Sequence, residues 1–218
     1  MTTRNRITNG LMVAVVAMAC FALATSANAA ITQTDAIGFP SAIGPIANDD
    51  LLQSSITSVT ATTPQYGSVA GLNDGNGDDS SDKFGYGEYS LGVNVPATAV
   101  FVLTGPFNIG EIRVTAGSAD GVRKSQDWDV YTSSNGGSTW DVLRMDNILL
   151  GSAVNGEGTT ITLTDTTGTL ASNVNAIKFD IFKAVGATYG PNIQEIDVFE
   201  ATGGGGPAAT PGTLIYGK

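Results

Sequence analysis

The stretch that decides the fold is NIQEIDVFE, residues Asn192–Glu200, which lies near the end of the 218-residue chain. It is rich in β-branched and aromatic residues, as β-strands are. Two earlier segments are interpreted together with it: the acidic, glycine-rich LNDGNGDD at Leu72–Asp79 and the serine-rich VYTSSNGGSTW at Val130–Trp140. The acidic segment lies more than a hundred residues before the strand, and the serine-rich segment lies between them.

Short runs rich in Val, Ile, Thr, Phe and Tyr recur along the chain, and no long amphipathic helix is visible. In the run Ala176–Phe182 the apolar residues alternate with Lys178 and Asp180, so the two sets occupy opposite faces of a strand. The predicted strands are Ile56–Thr62, Ala97–Leu103, Glu111–Thr115, Trp128–Ser133, Trp140–Arg144, Thr159–Thr164, Ala176–Phe182 and Ile193–Phe199. Eight short strands with turn-rich spacers predict an all-β fold, a β-sandwich of the jelly-roll type.

The turn within Val130–Trp140 predicts a tight hairpin. Asn135 and Gly136 supply the positive φ angles that such a turn needs. Trp140 follows the turn at the start of the next predicted strand. We expect its indole ring to pack across the hairpin into the core.

Residues 1–29 have the pattern of a secretory signal peptide. Arg4 and Arg6 form a positive region, Leu11–Leu23 is an apolar run, and Ala27–Ala29 is a small-residue cleavage site. We therefore expect a secreted protein, extracellular or at the cell surface.

The remaining chain divides into three parts by composition. Residues 30–50 are predicted to be an N-terminal arm or a lead-in strand, two alternatives that the sequence leaves open. Residues 51–201 are predicted to form the sandwich. Residues 202–218, which contain four consecutive glycines, are predicted to be a flexible tail.

The charge balance limits the kind of partner. Removing the signal peptide takes away Arg4 and Arg6 but no acid, so eight basic residues face twenty acidic ones, a net charge of −12. Nucleic acids and anionic membranes need clustered Lys and Arg, so neither is expected as a partner. The balance favours neutral ligands and cations, and we expect a monomer that does not insert into membranes.

Few residue types suited to catalysis are present. The chain has no histidine and its single cysteine, Cys20, lies in the signal peptide, so the usual nucleophile–base pairs cannot be built. One carboxylate pair, Asp127 and Asp129, flanks Trp128 and projects to one face of a strand, and two carboxylates can hydrolyse glycosides. Its simpler interpretation is the polar outer face of that strand. We predict that the protein is not an enzyme.

In their order along the chain, the three segments resemble the discoidin (coagulation-factor C-type) domains of the galactose-binding-like superfamily, over roughly Leu51–Ala201. That superfamily includes many bacterial carbohydrate-binding modules. The resemblance implies a module that binds carbohydrate or another cell-surface glycan or polysaccharide. The alternative is a structural or adhesive extracellular matrix protein with the same fold and no sugar site.

Two features depart from the family pattern. Phe84 or Tyr86 stands where a tryptophan usually follows the Asp-Gly loop. The paired cysteines that close some members are absent from this chain.

The loop Asn73–Asp82 carries carboxylate and amide oxygens between glycines, which is the chemistry that calcium prefers. The resemblance implies that the Asp-Gly pair of this loop begins a structural calcium site and that the first acid of the last strand closes it. The predicted ligands are Asp74, Asn76, Asp78, Asp79 and Glu195. Composition alone leaves a solvated acidic loop without metal as the alternative.

Sugar binding needs an aromatic platform and a few converging polar groups, and loops at one end of a sandwich can supply them. The candidate carbohydrate-binding residues are Arg123, Lys124, Tyr189, Asn192 and Tyr86. They come from the regions that carry the ligand loops in the family that the chain resembles. Tyr189 has a second interpretation, as a buried anchor before the last strand.

Overall fold

The computed structural model describes residues 30–38, 46–47, 49–62, 68–75, 84–85, 96–117, 123–151, 154–155 and 157–202, with the backbone alone at 84–85. The strands are β1 (Ile31–Gly38), β2 (Ile56–Ala61), β3 (Phe84–Gly85), β4 (Ala97–Gly117), β5 (Gln126–Ser133), β6 (Asp141–Leu149), β7 (Gly158–Asp165), β8 (Ala171–Ile181) and β9 (Asn192–Glu200). A short helix, α1 (Leu51–Ser54), lies between β1 and β2 in the sequence, and a 3₁₀ turn at Val69–Leu72 lies between β2 and β3.

The strands form two antiparallel layers that share one long strand. The first half of β4 pairs with β2 and β8, and its second half pairs with β7 and β9. One layer therefore runs β2-β4-β8-β5-β6 and the other runs β1-β7-β4-β9-β3. The register of β4 against β8 shifts between Val102 and Phe107, where the strand passes from one layer to the other. The all-β sandwich predicted from the sequence is confirmed.

The core lies between the two layers. Phe101, Trp128 and Phe179 are fully buried there. The Phe179 ring contacts both of the others edge-on, with centroids 5.7 Å from Trp128 and 6.2 Å from Phe101. Burial of a large apolar side chain contributes about 1.5–3 kcal/mol. The predicted alternation in Ala176–Phe182 is also confirmed, because Ile177 and Phe179 are buried while Lys178 and Asp180 are partly exposed.

Strand β1 forms the first part of the N-terminal region, at Ile31–Gly38. It pairs with β7 along its whole length, from Ile31 against Asp165 to Gly38 against Gly158. Arg144 of β6 donates a hydrogen bond from Nη1 to the Ile31 carbonyl at 3.2 Å, which joins the edges of the two layers.

The predicted hairpin is present, but Trp140 is not part of the core. The positive φ angles fall at Gly136 and Gly137, at 68° and 87°, and not at Asn135 as predicted, because the turn lies one residue later in the sequence. The indole of Trp140 is partly exposed and packs against Gly137, where an added Cβ would lie 3.0 Å from its Cζ2 atom. The core tryptophan is Trp128, whose indole N–H is satisfied by the side-chain oxygen of Gln126 at 3.0 Å.

The two ends of the sandwich differ in what they carry. One end, here called the loop end, holds the connections β4–β5, β6–β7 and β8–β9. The opposite end holds the β5–β6 hairpin and the exit of β9, where the Ala201 N–H donates to the Asn108 carbonyl at 2.8 Å. Within the described residues, no helix has the length and apolar character to cross a membrane.

Candidate functional site

Two of the loop-end connections are tied together by their backbones. The Asn192 N–H donates to the Arg123 carbonyl at 2.8 Å, so the start of β9 holds the approach to β5. The Phe182 N–H donates to the Asp127 carbonyl at 2.7 Å and holds the beginning of the β8–β9 loop against β5. These bonds fix the positions from which the loop side chains project.

Arg123 and Tyr189 come together at this end although 66 positions separate them in the sequence. The guanidinium carbon of Arg123 lies 4.9 Å from the Tyr189 ring centroid, which is a cation–π contact. Both side chains are half-buried. Three predicted site residues, Arg123, Tyr189 and Asn192, are therefore neighbours in the structure.

Lys124 belongs to the interior of the loop end. Its side chain is 1% exposed, its ammonium donates to the Val154 carbonyl, and Glu157 Oε2 lies 3.6 Å away. A buried lysine needs such partners because an uncompensated charge away from water is costly. The ammonium of Lys124 thus links the β4–β5 and β6–β7 connections, whereas the adjacent Arg123 lies nearer to solvent.

Asn192 contributes to the loop end through its backbone N–H, which binds the Arg123 carbonyl. Its side chain is 3% exposed, and its Oδ1 atom has no hydrogen-bond partner within the described part of the chain. Its backbone pairs with Gly85 of β3 in addition to holding Arg123. The fifth predicted sugar-binding residue, Tyr86, lies outside the described residues.

A buried polar network joins β4, β5 and β7 at the loop end. The amide nitrogen of Gln126 donates to the Val114 carbonyl at 3.2 Å and to the Thr159 carbonyl and hydroxyl at 3.0 and 2.8 Å. The Thr159 hydroxyl in turn donates to the Lys124 carbonyl. Buried polar groups that are all satisfied in this way rigidify their surroundings. The sequence analysis missed this network, because a single Gln before a Trp carries no pattern.

Glu195 is the centre of a second candidate site, on the face of β9 that α1 covers. Its carboxylate accepts hydrogen bonds from the Gln53 amide at 2.7 Å and from the Gly75 N–H at 3.1 Å. Gly75, the residue after Asp74, therefore contacts the last strand. Asn76, Asp78 and Asp79 lie outside the described residues.

The environment of Glu195 disfavours its negative charge. Burial, together with the carboxylates of Asp197, Asp74 and Asp50, raises the pKa of Glu195 from 4.5 to about 9, while the Gly75 N–H lowers it. Burial and Asp50 likewise raise the pKa of Asp197 from 3.8 to about 7. One cation lies near this group, since Arg113 Nη1 is 3.9 Å from Asp197 Oδ2.

The described residues supply only part of a site for a hard cation such as calcium. Calcium takes six to eight oxygen ligands, and Glu195 and Asp74 offer carboxylates beside backbone carbonyls. The side-chain oxygen of Gln53 is buried without a hydrogen-bond partner in the described part of the chain. Among the described residues, no group of three or more His, Cys, Asp or Glu side chains is placed to hold a metal ion. The proposed ligand set therefore depends on the loop that follows Gly75.

Asp127 and Asp129 occupy the outer face of β5, with Trp128 and Val130 buried on the other side. Asp129 is held by the Asp146 N–H at 2.9 Å and by the Tyr131 hydroxyl at 3.4 Å. Burial, Asp129 and Asp146 raise the pKa of Asp127 to about 6. Trp128, Val130 and Thr132 are buried as predicted, but Asp129 on the opposite face is buried as well, at 6% exposed, so the strand does not alternate cleanly between buried and exposed residues.

The comparisons with known proteins reveal likeness to solved structures. No protein-family model matches the sequence, and no curated protein matches it. A family 32 carbohydrate-binding module from Streptococcus pneumoniae EndoD is similar at 13% identity and a TM-score of 0.46, over 70% of this chain and 99% of that chain. The protein CpGH89CBM32-6 produced by Clostridium perfringens is similar at 15% identity and a TM-score of 0.43, over 70% and 99%.

An allantoicase is also similar, at 18% identity and a TM-score of 0.47, over 74% of this chain and 46% of that chain. The matched structures thus include carbohydrate-binding modules and an enzyme.

Proposed function

We propose that the protein is a secreted glycan-binding module whose ligand site is the loop end. The observation that carries the proposal is the stacked pair of Arg123 and Tyr189, held in place by the backbone bond from Asn192. A guanidinium carries several N–H donors in a planar fork, the geometry in which neighbouring sugar hydroxyls accept hydrogen bonds. An aromatic ring beside them supplies an apolar surface for the C–H groups of a pyranose.

The rigid surroundings support this role. Lys124 ties two loops together from inside, and Gln126 fills the space beneath them with satisfied hydrogen bonds. A preformed surface loses little conformational entropy when a ligand binds. The surface is a set of loops over a packed sandwich, so we expect an affinity for single sugars in the millimolar to micromolar range, or about −4 to −8 kcal/mol.

A structural calcium ion is the second part of the proposal. Glu195, Asp74 and the loop after Gly75 would hold it, and its positive charge would offset the carboxylates that surround Glu195. The ion would join the loop to the last strand and would not contact the sugar. Its role is therefore in stability, through the preferential binding of the folded chain.

The test is a glycan array on the mature protein, with calcium and with chelator. Arg123→Ala should weaken binding to a confirmed glycan by roughly five-fold or more, the usual effect of losing an anchor residue. Val185→Ala is the matched control, because Val185 is 69% exposed in the β8–β9 loop and makes no part of the proposed site. Equal glycan affinities of the two variants would show that the glycan does not bind at the loop end.

Absence of binding to every glycan on the array would support the structural or adhesive alternative. Export is tested separately by mass spectrometry, and the exported protein should begin at or near Ala30. Arg4 in the exported protein would contradict the signal peptide.

A further inference from the structure

The outer face of the layer β2-β4-β8-β5-β6 carries a cluster of aromatic and charged side chains. The antiparallel register places Tyr131 beside Lys178 on β8 and beside Val142 on β6. Asp180 is two residues from Lys178 and therefore on the same face. Val142 is 58% exposed.

Lys178 is fixed at the centre of this cluster. Its ammonium lies 3.9 Å from the Tyr131 ring centroid, 5.9 Å from the Trp140 centroid and 2.8 Å from Asp180 Oδ2. Asp180 is itself oriented, because its Oδ1 accepts a hydrogen bond from the Thr98 hydroxyl at 2.7 Å. The side chains of Lys178 and Asp180 are 20% and 13% exposed, so the ion pair reaches the surface with little freedom to move.

Trp140 completes the cluster from the hairpin. Its ring packs against Gly137 and is partly exposed, although a tryptophan gains most from full burial. The hairpin around it is rigid: Asn135 Oδ1 accepts from the Thr139 N–H at 3.0 Å, and the Gly136 N–H donates to Asn175 at 2.7 Å. The ring is therefore presented on a fixed support.

We propose that Tyr131, Trp140, Val142, Lys178 and Asp180 form a second glycan-binding site, the sheet-face site, separate from the loop end. The two rings supply the apolar platform. The ion pair supplies a donor and an acceptor a few ångströms apart, the combination that neighbouring sugar hydroxyls require. The sheet-face site lies toward the hairpin, at the end of the sandwich opposite to Arg123.

The charges around the sheet-face site select a neutral glycan. Lys178 is balanced by Asp180, and the carboxylate of Asp129 accepts a hydrogen bond from the Tyr131 hydroxyl at 3.4 Å, with Asp146 bound to it through its N–H. A uronate or sulfate group would meet these carboxylates, and like charges brought together weaken binding. A neutral polysaccharide meets no such repulsion. If the loop end also binds, two sites on one module raise the apparent affinity for a polymer without new contacts.

The experiment uses affinity electrophoresis of the mature protein in soluble neutral polysaccharides (galactomannan, xyloglucan and dextran), with alginate as the anionic comparison. All variants carry Arg123→Ala, so that retardation reports the sheet-face site. Adding Trp140→Ala or Lys178→Met should reduce the affinity roughly five-fold or more, whereas Trp140→Phe should retain most of it. Retardation by alginate should be weaker than by the neutral polymer that binds.

Fluorescence gives an independent measurement on the wild-type chain. It has two tryptophans, and Trp128 is fully buried, so acrylamide quenching reports mainly on Trp140. The polysaccharide that binds should protect Trp140 from acrylamide. A ligand held only at the loop end would leave quenching unchanged.

The outcomes separate the two proposals. If Arg123→Ala alone abolishes retardation and Trp140 gains no protection, the sheet-face site is wrong and the loop end stands. If Arg123→Ala has no effect but Trp140→Ala abolishes binding, the loop-end site is wrong and the sheet-face site stands. The sheet-face site is also wrong if none of the neutral polymers retards the protein. It is wrong as well if sedimentation shows that Trp140 mediates self-association instead.

Discussion

Among single residues, Asp127 has the clearest electrostatic consequence. Burial, Asp129 and Asp146 raise its pKa from 3.8 to about 6. Because the folded-state pKa is higher than the ordinary value, folding favours the protonated form. The stabilisation is fully present below pH 3.8 and is lost as the pH rises through 6.

We therefore predict that Asp127→Asn is more stable than the wild type at pH 7, and that this difference disappears below pH 4. The amide keeps the shape of the side chain and removes the charge that the neighbouring carboxylates repel. Urea denaturation midpoints at pH 4 and pH 7 measure the effect. Parallel pH curves for the two proteins would contradict the assignment.

Gly151 shows how a single position supports the loop end. An added Cβ there would lie 2.3 Å from Cγ of Lys124, whose ammonium is fixed by the Val154 carbonyl and Glu157. The lysine stem cannot move aside without breaking these contacts. Gly105 offers the matched comparison, since a Cβ there would have no neighbour within 4 Å.

We expect Gly151→Ala to destabilise the protein by about 1–3 kcal/mol, the usual cost of overpacking. Gly105→Ala should change the stability by less than about 0.5 kcal/mol. Chemical denaturation of both variants gives the comparison. Equal stabilities would show that Lys124 is not held as rigidly as its contacts indicate.

Among the secondary-structure elements, the strands were predictable because their signals are local. Alternation in Ala176–Phe182 and the turn at Asn135 depend only on neighbours in sequence. The continuity of β4 was not predictable in the same way. Gly105, Pro106 and Gly110 look like a loop between two strands, yet β4 runs through them with a shift of register as it changes layers.

The candidate site was only partly predictable for the same reason. Arg123 and Lys124 are adjacent and chemically similar, and tertiary packing decides that one stacks on Tyr189 while the other is buried. The contact between Gln53 and Glu195 spans 142 positions and has no local signal. Trp140 was expected in the core because apolar residues usually are, but its ring packs on the hairpin at Gly137, and Trp128 is the buried tryptophan.

The contact between α1 and β9 leads to a prediction about calcium. Without an ion, the raised pKa of Glu195 keeps it protonated near pH 7 and makes its ionisation unfavourable in the folded state. Stability should therefore fall as the pH rises from 4.5 to about 9 in chelator. Calcium binding at pH 7–8 should release a proton, because a ligand carboxylate must be ionised.

Titration calorimetry in buffers of different ionisation enthalpy measures that proton. Glu195→Gln should be more stable than the wild type in chelator at pH 8 and should lose the rise in melting temperature that calcium produces. At one hundred times Kd, that rise corresponds to about 2.7 kcal/mol. A wild-type melting temperature that is the same in calcium and in chelator would leave the acidic loop without a metal.

At the scale of the whole molecule, the point at which the chain leaves the sandwich decides how a fused domain would affect glycan binding. The chain leaves β9 at Ala201, which is held to Asn108 at the end of the sandwich opposite to the loop end. A domain fused directly after Thr202 therefore begins at the end of the sandwich opposite to Arg123 and Tyr189. A tether there leaves the proposed glycan site open to a large polymer.

We predict that a globular domain fused after Thr202 leaves glycan binding at the loop end unchanged. The same domain inserted between Val185 and Gly186 should abolish it, because that β8–β9 loop contains Tyr189 and is exposed at its tip. Affinity for the glycan identified on the array, measured for both fusions and the unfused protein, gives the comparison. Both fusions must first show the melting temperature of the parent, so that steric blocking and unfolding are separated. Loss of binding in the Thr202 fusion alone would place the ligand near the hairpin end, where the sheet-face site lies.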